Sequence, residues 1–255
     1  MTIIGIIPAR MAASRFPGKP LAPLCGRPMI EHVYRRATRA ACLDRVYIAT
    51  PDREVYEAAR RFDAPAIMTS AAHTRATDRV AEAAQGLDAD VFINIQGDEP
   101  LLEPAALDLL GEAMQADPTL ACANLVNQIE NEQDFRNQNQ IKVVCDRRSN
   151  VLYMSRQPIP FSPQGRGTGL RQLGVIAFRR DFLATFAALP QTPLERVESI
   201  DVLRAIEHGF TIRAVVSRHA SFGVDTPEDL HAAATALAGD PLMASLFRSG
   251  DAEAR

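Results

Sequence analysis

The chain has 255 residues, 47% of them hydrophobic and 23% charged, with 28 Lys+Arg against 31 Asp+Glu for a formal charge of −3. At about 150 residues per domain this length lies between one and two domains, and roughly 70–75% of the unfolded surface can be buried without a disulfide or metal staple. Disordered, collagen-like and low-complexity classes are excluded. So is a global basic field that would gather nucleic acid, and a small or anionic ligand must be held by local groups.

The first segment, Met1–Ile7, is apolar but short. It has no cationic start and no small-residue cleavage site, so Ile3–Ile7 is expected as a buried strand and not as a signal peptide. Arg27–Ala40 follows as a helix, with Pro28 near its start. Arg45–Thr50 is a strand, Asp52–Phe62 a helix capped by Asp52, and Ala66–Met68 a short strand. Thr77–Leu87 is a helix, Asp90–Ile95 a strand, Glu103–Gln115 a helix with Pro104 in its first turn, and Leu120–Val126 a strand. This βαβα rhythm predicts a parallel sheet covered on both faces.

The rhythm breaks after Val126. Asn127–Gln140 is polar and is expected as a mobile crossover. Ile141–Cys145 and Val151–Met154 flank a polar turn and predict a hairpin, and Phe161–Gly169 predicts a mobile loop. Leu173–Phe178 and Ile212–Val216 are expected strands. Arg180–Ala188, Glu198–His208, Pro227–Leu237 and Asp240–Phe247 are expected helices. No run approaches about 18 uninterrupted apolar residues, so no membrane insertion is expected. Cys25, Cys42, Cys122 and Cys145 form no CxxC pair, which predicts free thiols and a cytoplasmic location.

Three segments carry candidate chemistry. Ile7–Pro20 is a loop directly after the first strand, at the carboxyl edge where open α/β sheets bind ligands. It holds Arg10, Arg15, Gly18 and Lys19, which suit a polyphosphate, although a solvated basic turn is the plainer alternative. The pattern is neither a Walker A loop nor GxGxxG. In Asn94–Pro100 a buried strand runs into Gly97, Asp98 and Glu99. A carboxylate there suits Mg²⁺ with substrate phosphates, or a helix N-terminus. In Phe222–Leu230, Thr226, Glu228 and Asp229 read as a cap and first turn, which leaves Asp225 as a candidate second metal ligand.

These segments together resemble the CMP-Kdo synthetases, the 3-deoxy-manno-octulosonate cytidylyltransferases. PAR…SRFPGKPL, TDR (Thr77–Arg79), QGDEP and GVDTPEDL occur in that family's order. IKVV (Ile141–Val144), SRQPIP (Ser155–Pro160) and the run Pro193–Phe210 extend the likeness from about Ile3 to about Leu237. The resemblance implies a Rossmann-like, mostly parallel sheet flanked by helices, of the nucleotide-diphospho-sugar transferase type, with an inserted β-hairpin subdomain. One cytidylyltransferase domain is expected over 1–255. Residues 1–126 are mainly its CTP-binding half, 127–225 its sugar-acid-binding and dimerisation part, and 226–255 its C-terminal helices.

The implied reaction couples CTP to a 3-deoxy-2-keto sugar acid, most simply Kdo, with Mg²⁺ and release of pyrophosphate, in a homodimer that supplies lipopolysaccharide. Ala9, Arg10, Arg15 and Lys19 are implied at the nucleotide, with Thr77, Asp78 and Arg79 near cytosine and ribose. Gln96 is implied at the nucleotide–sugar junction and Asp98 and Asp225 at the metal. Arg156, Gln172, Glu195 and Glu198 are implied at the sugar. Lys19, Arg15 and Asp98 are the implied catalytic groups.

The sequence departs from the family's usual pattern in three places. Gln172 stands where a histidine touches the sugar, Arg196 where a Gln follows Leu-Glu, and Thr74-Arg75-Ala76 where Pro-Ser-Gly precedes TDR. A variant acid sugar, such as an amino-substituted Kdo, is therefore the alternative acceptor. A nucleotide-sugar-dependent glycosyltransferase is a more distant alternative, disfavoured because Asp98 is followed by Glu99-Pro100 and not by Asp-x-Asp. His32 is expected in the core or an interface, and His73 in a loop.

Overall fold

A computed structural model describes residues 1–12, 16–163, 169–219 and 222–247. In chain order the first half comprises β1 (Ile3–Pro8), the two-residue strands β2 (Pro23–Leu24) and β3 (Arg27–Pro28), α1 (Met29–Ala37), β4 (Arg45–Thr50), α2 (Arg53–Arg61), β5 (Ala66–Met68), α3 (Ala76–Ala84), β6 (Val91–Asn94) and α4 (Pro104–Ala116). The second half comprises β7 (Cys122–Ile129), α5 (Glu132–Arg136), β8 (Lys142–Cys145), β9 (Val151–Ser155), β10 (Gly169–Arg179), α6 (Arg180–Ala188), α7 (Pro193–Glu198), α8 (Leu203–Glu207), β11 (Arg213–Ser217), α9 (Pro227–Ala238) and α10 (Pro241–Leu246).

The main sheet runs β11-β7-β10-β6-β1-β4-β5. β6, β1, β4 and β5 are parallel, as β11 is to β7. β10 is inserted antiparallel between β6 and β7, and it also carries the β8–β9 hairpin. Alternation along β1 sets the two cores. Ile3 and Ile7 pack with Ile30, Val55 and Leu110 on one face, while Ile4 and Ile6 pack with Val80, Phe92, Phe182 and Leu203 on the other. A strand buried on both faces reads as a continuous apolar run, which is why Ile3–Ile7 was legible.

Several expected boundaries move. The helix expected from Arg27 begins at Met29, because Arg27 and Pro28 pair with Pro23 and Leu24 around a Cys25–Gly26 turn in which both residues have positive φ. Asn127–Gln140 is not an unstructured crossover. β7 continues to Ile129, and the Asn131 side chain caps α5 by accepting from the Asp134 N–H. The helix expected over Glu198–His208 is helical only over α8; Glu198 instead ends α7, and Ser199 follows it with φ 55. β10 begins at Gly169, earlier than Leu173. Of the loop expected over Phe161–Gly169, residues 164–168 lie outside the described residues. The described residues contain no helix long and apolar enough to cross a membrane.

Candidate active site

Register places the site. Ile6 lies opposite Asn94, so the loops after β1 and β6 leave the sheet side by side at its carboxyl edge. The Ala9 N–H donates to the Ala49 carbonyl, and the Met11 N–H to Asp52 Oδ2 at 2.7 Å. Asp52 stands at the N-cap of α2, but its side chain makes no cap hydrogen bond and binds the first loop instead. Gly97 has no room for a side chain, since a Cβ would lie 2.8 Å from the Pro8 carbonyl oxygen.

Gly18 closes the first loop. Its φ of 76° is open to glycine at little cost, and its N–H donates to the Met11 carbonyl. Lys19 is thereby aimed inward. Its Nζ donates to Asp98 Oδ2 at 2.7 Å, to the Val224 carbonyl at 2.7 Å and to Asp225 Oδ1 at 3.3 Å. Asp225 reaches this point because Val224, Ala233 and Leu237 pack with Leu24 and Met29, and because the Val224 N–H donates to the Asp98 carbonyl. The capping box of Thr226 and Asp229 starts α9 immediately afterwards.

A cavity opens beside Lys19. Pro8, Ala9, Arg10, Lys19, Gln96, Gly97 and Asp98 form one wall, and His73, Thr74, Arg75, Ala76 and Arg79 the other. Arg79 is buried. It donates to Thr69 Oγ1 at 2.6 Å and to the Ser70 and His73 carbonyls, so it holds the second wall in shape. Burial, and then Arg10, pull its guanidinium below its ordinary value. His73 Nε2 lies 2.5 Å from Glu82 Oε2, and Glu82 also accepts from the Ser70 N–H. Arg75 Nη1 donates to Ser199 Oγ at 3.1 Å.

The other expected site residues fall into three groups. Ala9, Arg10, Lys19, Arg79, Gln96 and Asp98 come together on the cavity, with Asp225 joined through Lys19. Arg15 lies outside the described residues. Thr77 and Asp78 stand behind the wall. Thr77 Oγ1 donates to Asp201 Oδ2 at 2.6 Å, and Asp78 lies 3.7 Å from Arg204.

The residues expected at the sugar divide differently. Glu198 accepts from Ser155 Oγ at 2.6 Å, Tyr153 Oη at 3.3 Å and the Arg156 N–H at 2.9 Å. Burial pushes its carboxyl up, but these donors together outweigh that and leave it below its ordinary value. Arg156 donates from Nε to the Glu198 carbonyl and from Nη1 to the Gln138 carbonyl. Gln172 donates to Asn124 Oδ1 at the bulge in β10, two residues before Gly174, on which the Gln96 side chain rests. Glu195, also expected at the sugar, does not open onto the cavity. It is fully buried, and Arg204 donates to both of its oxygens at 2.9 and 2.7 Å. Arg196 does not extend a pocket either, because it is exposed and donates to the Gln191 carbonyl.

Some contributors lay outside the expected site residues. His73, expected in a loop, and Thr74 and Arg75, noted only as a departure before Thr77, line the cavity. Lys142 is fully buried, and its Nζ donates to the Asn137, Gln140 and Arg156 carbonyls, which ties the Arg156 backbone down. Its signal was a lysine inside an apolar strand. All four cysteines are free, and burial, reinforced by Asp108, pushes the Cys42 thiol up to about 12.

Among the described residues no group of three or more His, Cys, Asp or Glu side chains could form a metal cage. Asp98 and Asp225 do suit Mg²⁺, which takes one or two carboxylates and completes its shell with substrate phosphates and water. Their side chains are 29% and 41% exposed, and one ammonium holds them together at the cavity's edge.

A mixed α/β sheet with this polar cavity at its carboxyl edge defines an enzyme of the nucleotidyltransferase class. The cytidylyltransferase family profile matches residues 4–213. The chain is 47% identical over 250 residues to a 3-deoxy-manno-octulosonate cytidylyltransferase of Syntrophobacter fumaroxidans, covering 96% of this chain and 100% of the relative. It is 44% identical to the enzyme of that name from Syntrophotalea carbinolica, over 90% of this chain and 96% of the other. The structure of CMP:2-keto-3-deoxy-manno-octonic acid synthetase complexed with CTP superposes with a TM-score of 0.89 at 38% identity, covering 93% of this chain and 99% of that one. The chain belongs to the 3-deoxy-manno-octulosonate cytidylyltransferase family.

Proposed function

We propose that this protein couples CTP to 3-deoxy-manno-octulosonate (Kdo), releasing pyrophosphate and forming CMP-Kdo for lipopolysaccharide synthesis, as a cytoplasmic homodimer. The observation that carries this reading is the Lys19 ammonium shared by Asp98 and Asp225 at the cavity's edge. The anomeric hydroxyl of the acceptor attacks the α-phosphorus in line. A new P–O bond forms, the bond to the departing pyrophosphate breaks, and the hydroxyl proton is lost. Such a reaction asks the protein mainly for positioning and charge stabilisation.

Asp98 and Asp225 are the residues to hold Mg²⁺. When bound, the ion neutralises charge on the triphosphate and lowers the pKa of the attacking hydroxyl. Lys19 offsets the two carboxylates, and with Arg10 and Arg15 it supplies the positive charge for the triphosphate and for pyrophosphate as it leaves. Arg79 shapes the nucleotide wall, and Gln96 stands where nucleotide and acceptor meet. Arg156, steadied by Glu198 and Lys142, is assigned to the acceptor's carboxylate, for which a guanidinium is the matching partner. Gln172 is placed beside the acceptor.

The test is pyrophosphate release with CTP, Mg²⁺ and Kdo, with controls lacking each component. Release is expected to require all three and to fall by about 10²-fold or more in Asp98→Ala. Release that persists undiminished in that variant would remove the metal assignment. CTP and Mg²⁺ binding without turnover of Kdo would transfer the reading to another 3-deoxy-2-keto acid.

A further inference from the structure

One corner of the chain touches both sides of the site without lining the cavity. It is the break between α7 and α8, residues 198–204. Ser199 adopts φ 55 there, a left-handed conformation uncommon for a residue with a side chain and kept only where the surroundings over-determine it. On one side the corner is held by the start of α3. Arg75 donates to Ser199 Oγ, Thr77 Oγ1 donates to Asp201 Oδ2 at 2.6 Å, and Asp78 faces Arg204 at 3.7 Å. On the other side it is held by β9 and its exit. Tyr153, Ser155 and the Arg156 N–H donate to the Glu198 carboxylate, and Arg156 Nε donates to the Glu198 carbonyl.

Thr77 is the tightest of the α3 links. It is 1% exposed, and it adjoins Ala76, which lines the cavity. Its hydroxyl is turned away from the cavity and spent on Asp201. Burial pushes the Asp201 carboxyl above its ordinary range, although the Thr77 hydroxyl, Arg75 and Arg204 pull it down. The start of α3, which borders the cavity, and the groups around Arg156 thus meet at this one corner.

We propose that Asp201 is a positioning residue which, through Thr77, transmits nucleotide binding at the start of α3 to the corner that orients Arg156 for the acceptor. This rests on the nucleotide half of the function proposed above. CTP binding is thereby coupled to acceptor binding by a short chain of packed groups with ligands at its two ends.

Hydrogen exchange of the full chain with and without CTP–Mg²⁺ tests this in the absence of any acceptor. In the wild type, CTP is expected to slow exchange at 74–79 and also, by about fivefold or more, at 198–204. Asp201→Asn keeps an acceptor for the Thr77 hydroxyl and is expected to retain the second response. Asp201→Ala and Thr77→Val break the link and are expected to lose it while 74–79 stays protected. Should Asp201→Ala fail to fold, Thr77→Val, which removes only a hydroxyl, decides alone. Protection at 74–79 with no response at 198–204 in the wild type overturns the inference and leaves the proposed function intact. So does an equal response at 198–204 in Thr77→Val. Absence of CTP protection anywhere takes down both.

Discussion

Lys142 and Glu198 show how single side chains prepare the acceptor side. Lys142 is fully buried, yet its three donors each meet a carbonyl. Removing it strands those oxygens, so Lys142→Ala is expected to cost about 2–4 kcal/mol in chemical denaturation and to raise the KM for the acceptor more than that for CTP. Glu198 titrates below its ordinary range in the fold, where burial is outweighed by its backbone and hydroxyl donors. A depressed carboxyl contributes stability above its unfolded value near about 4.3, and that contribution is lost as pH falls through the lower folded value. Melting temperatures recorded from pH 6 down to pH 3 are therefore expected to fall less steeply in Glu198→Gln than in the wild type. Neither role is visible from residue type. Lys142 stood out only as a charge in an apolar strand, and Glu195, an equally plausible acid in sequence, turned out to be spent on Arg204.

Among elements, the close approach of the β1 and β6 loops is the feature most sensitive to volume. A Cβ on residue 97 would lie 2.8 Å from the Pro8 backbone oxygen, which cannot retreat without disturbing the sheet edge, and 3.3 Å from the end of the Ile30 side chain. Gly97→Ala is expected to destabilise the protein by about 1–3 kcal/mol and to lower kcat/KM further, because the same shift moves Asp98 away from Lys19. Equilibrium unfolding and pyrophosphate release measured on one preparation separate the two effects. Most elements were legible because buried parallel strands and amphipathic helices leave distinct periodicities. Ser199 broke an otherwise helical pattern without Gly or Pro, and the β2–β3 turn replaced a helix start. In both places long-range contacts prevailed over local propensity: Arg75 at the first, and the packing of Leu24 against α9 at the second.

Across the whole molecule the C-terminal helices complete a site begun at residue 8. Arg36 is fully buried in α1, with partners in the Leu102 carbonyl, Glu103 and Asp240, and it secures the segment after α9 to the first helix. Association is proposed through the hairpin region, where Leu152, Phe161 and Val197 are 57%, 87% and 83% exposed. A second copy that covers these side chains would remove their apolar surface from water. Sedimentation is expected to give a species of twice the chain's mass, and Leu152→Glu to shift it towards the monomer. Wild-type protein sedimenting as a monomer at micromolar concentration would end that proposal.

The sequence by itself determined the α/β class, the strands that carry the site and the cation-rich loop, because hydrophobic period and motif spacing are local properties; Asp98 and Asp225 stood in it as candidates, with a metal role only by resemblance. Only the tertiary structure decided that β10 enters antiparallel between β6 and β7, that Lys19 joins two acids more than 120 residues apart in the chain, that Glu195 is core, and that Thr77 turns from the cavity to Asp201. Those outcomes depend on which side chains meet across the fold, and the balance of burial and hydrogen bonding that settles each meeting exists only once the chain has closed on itself.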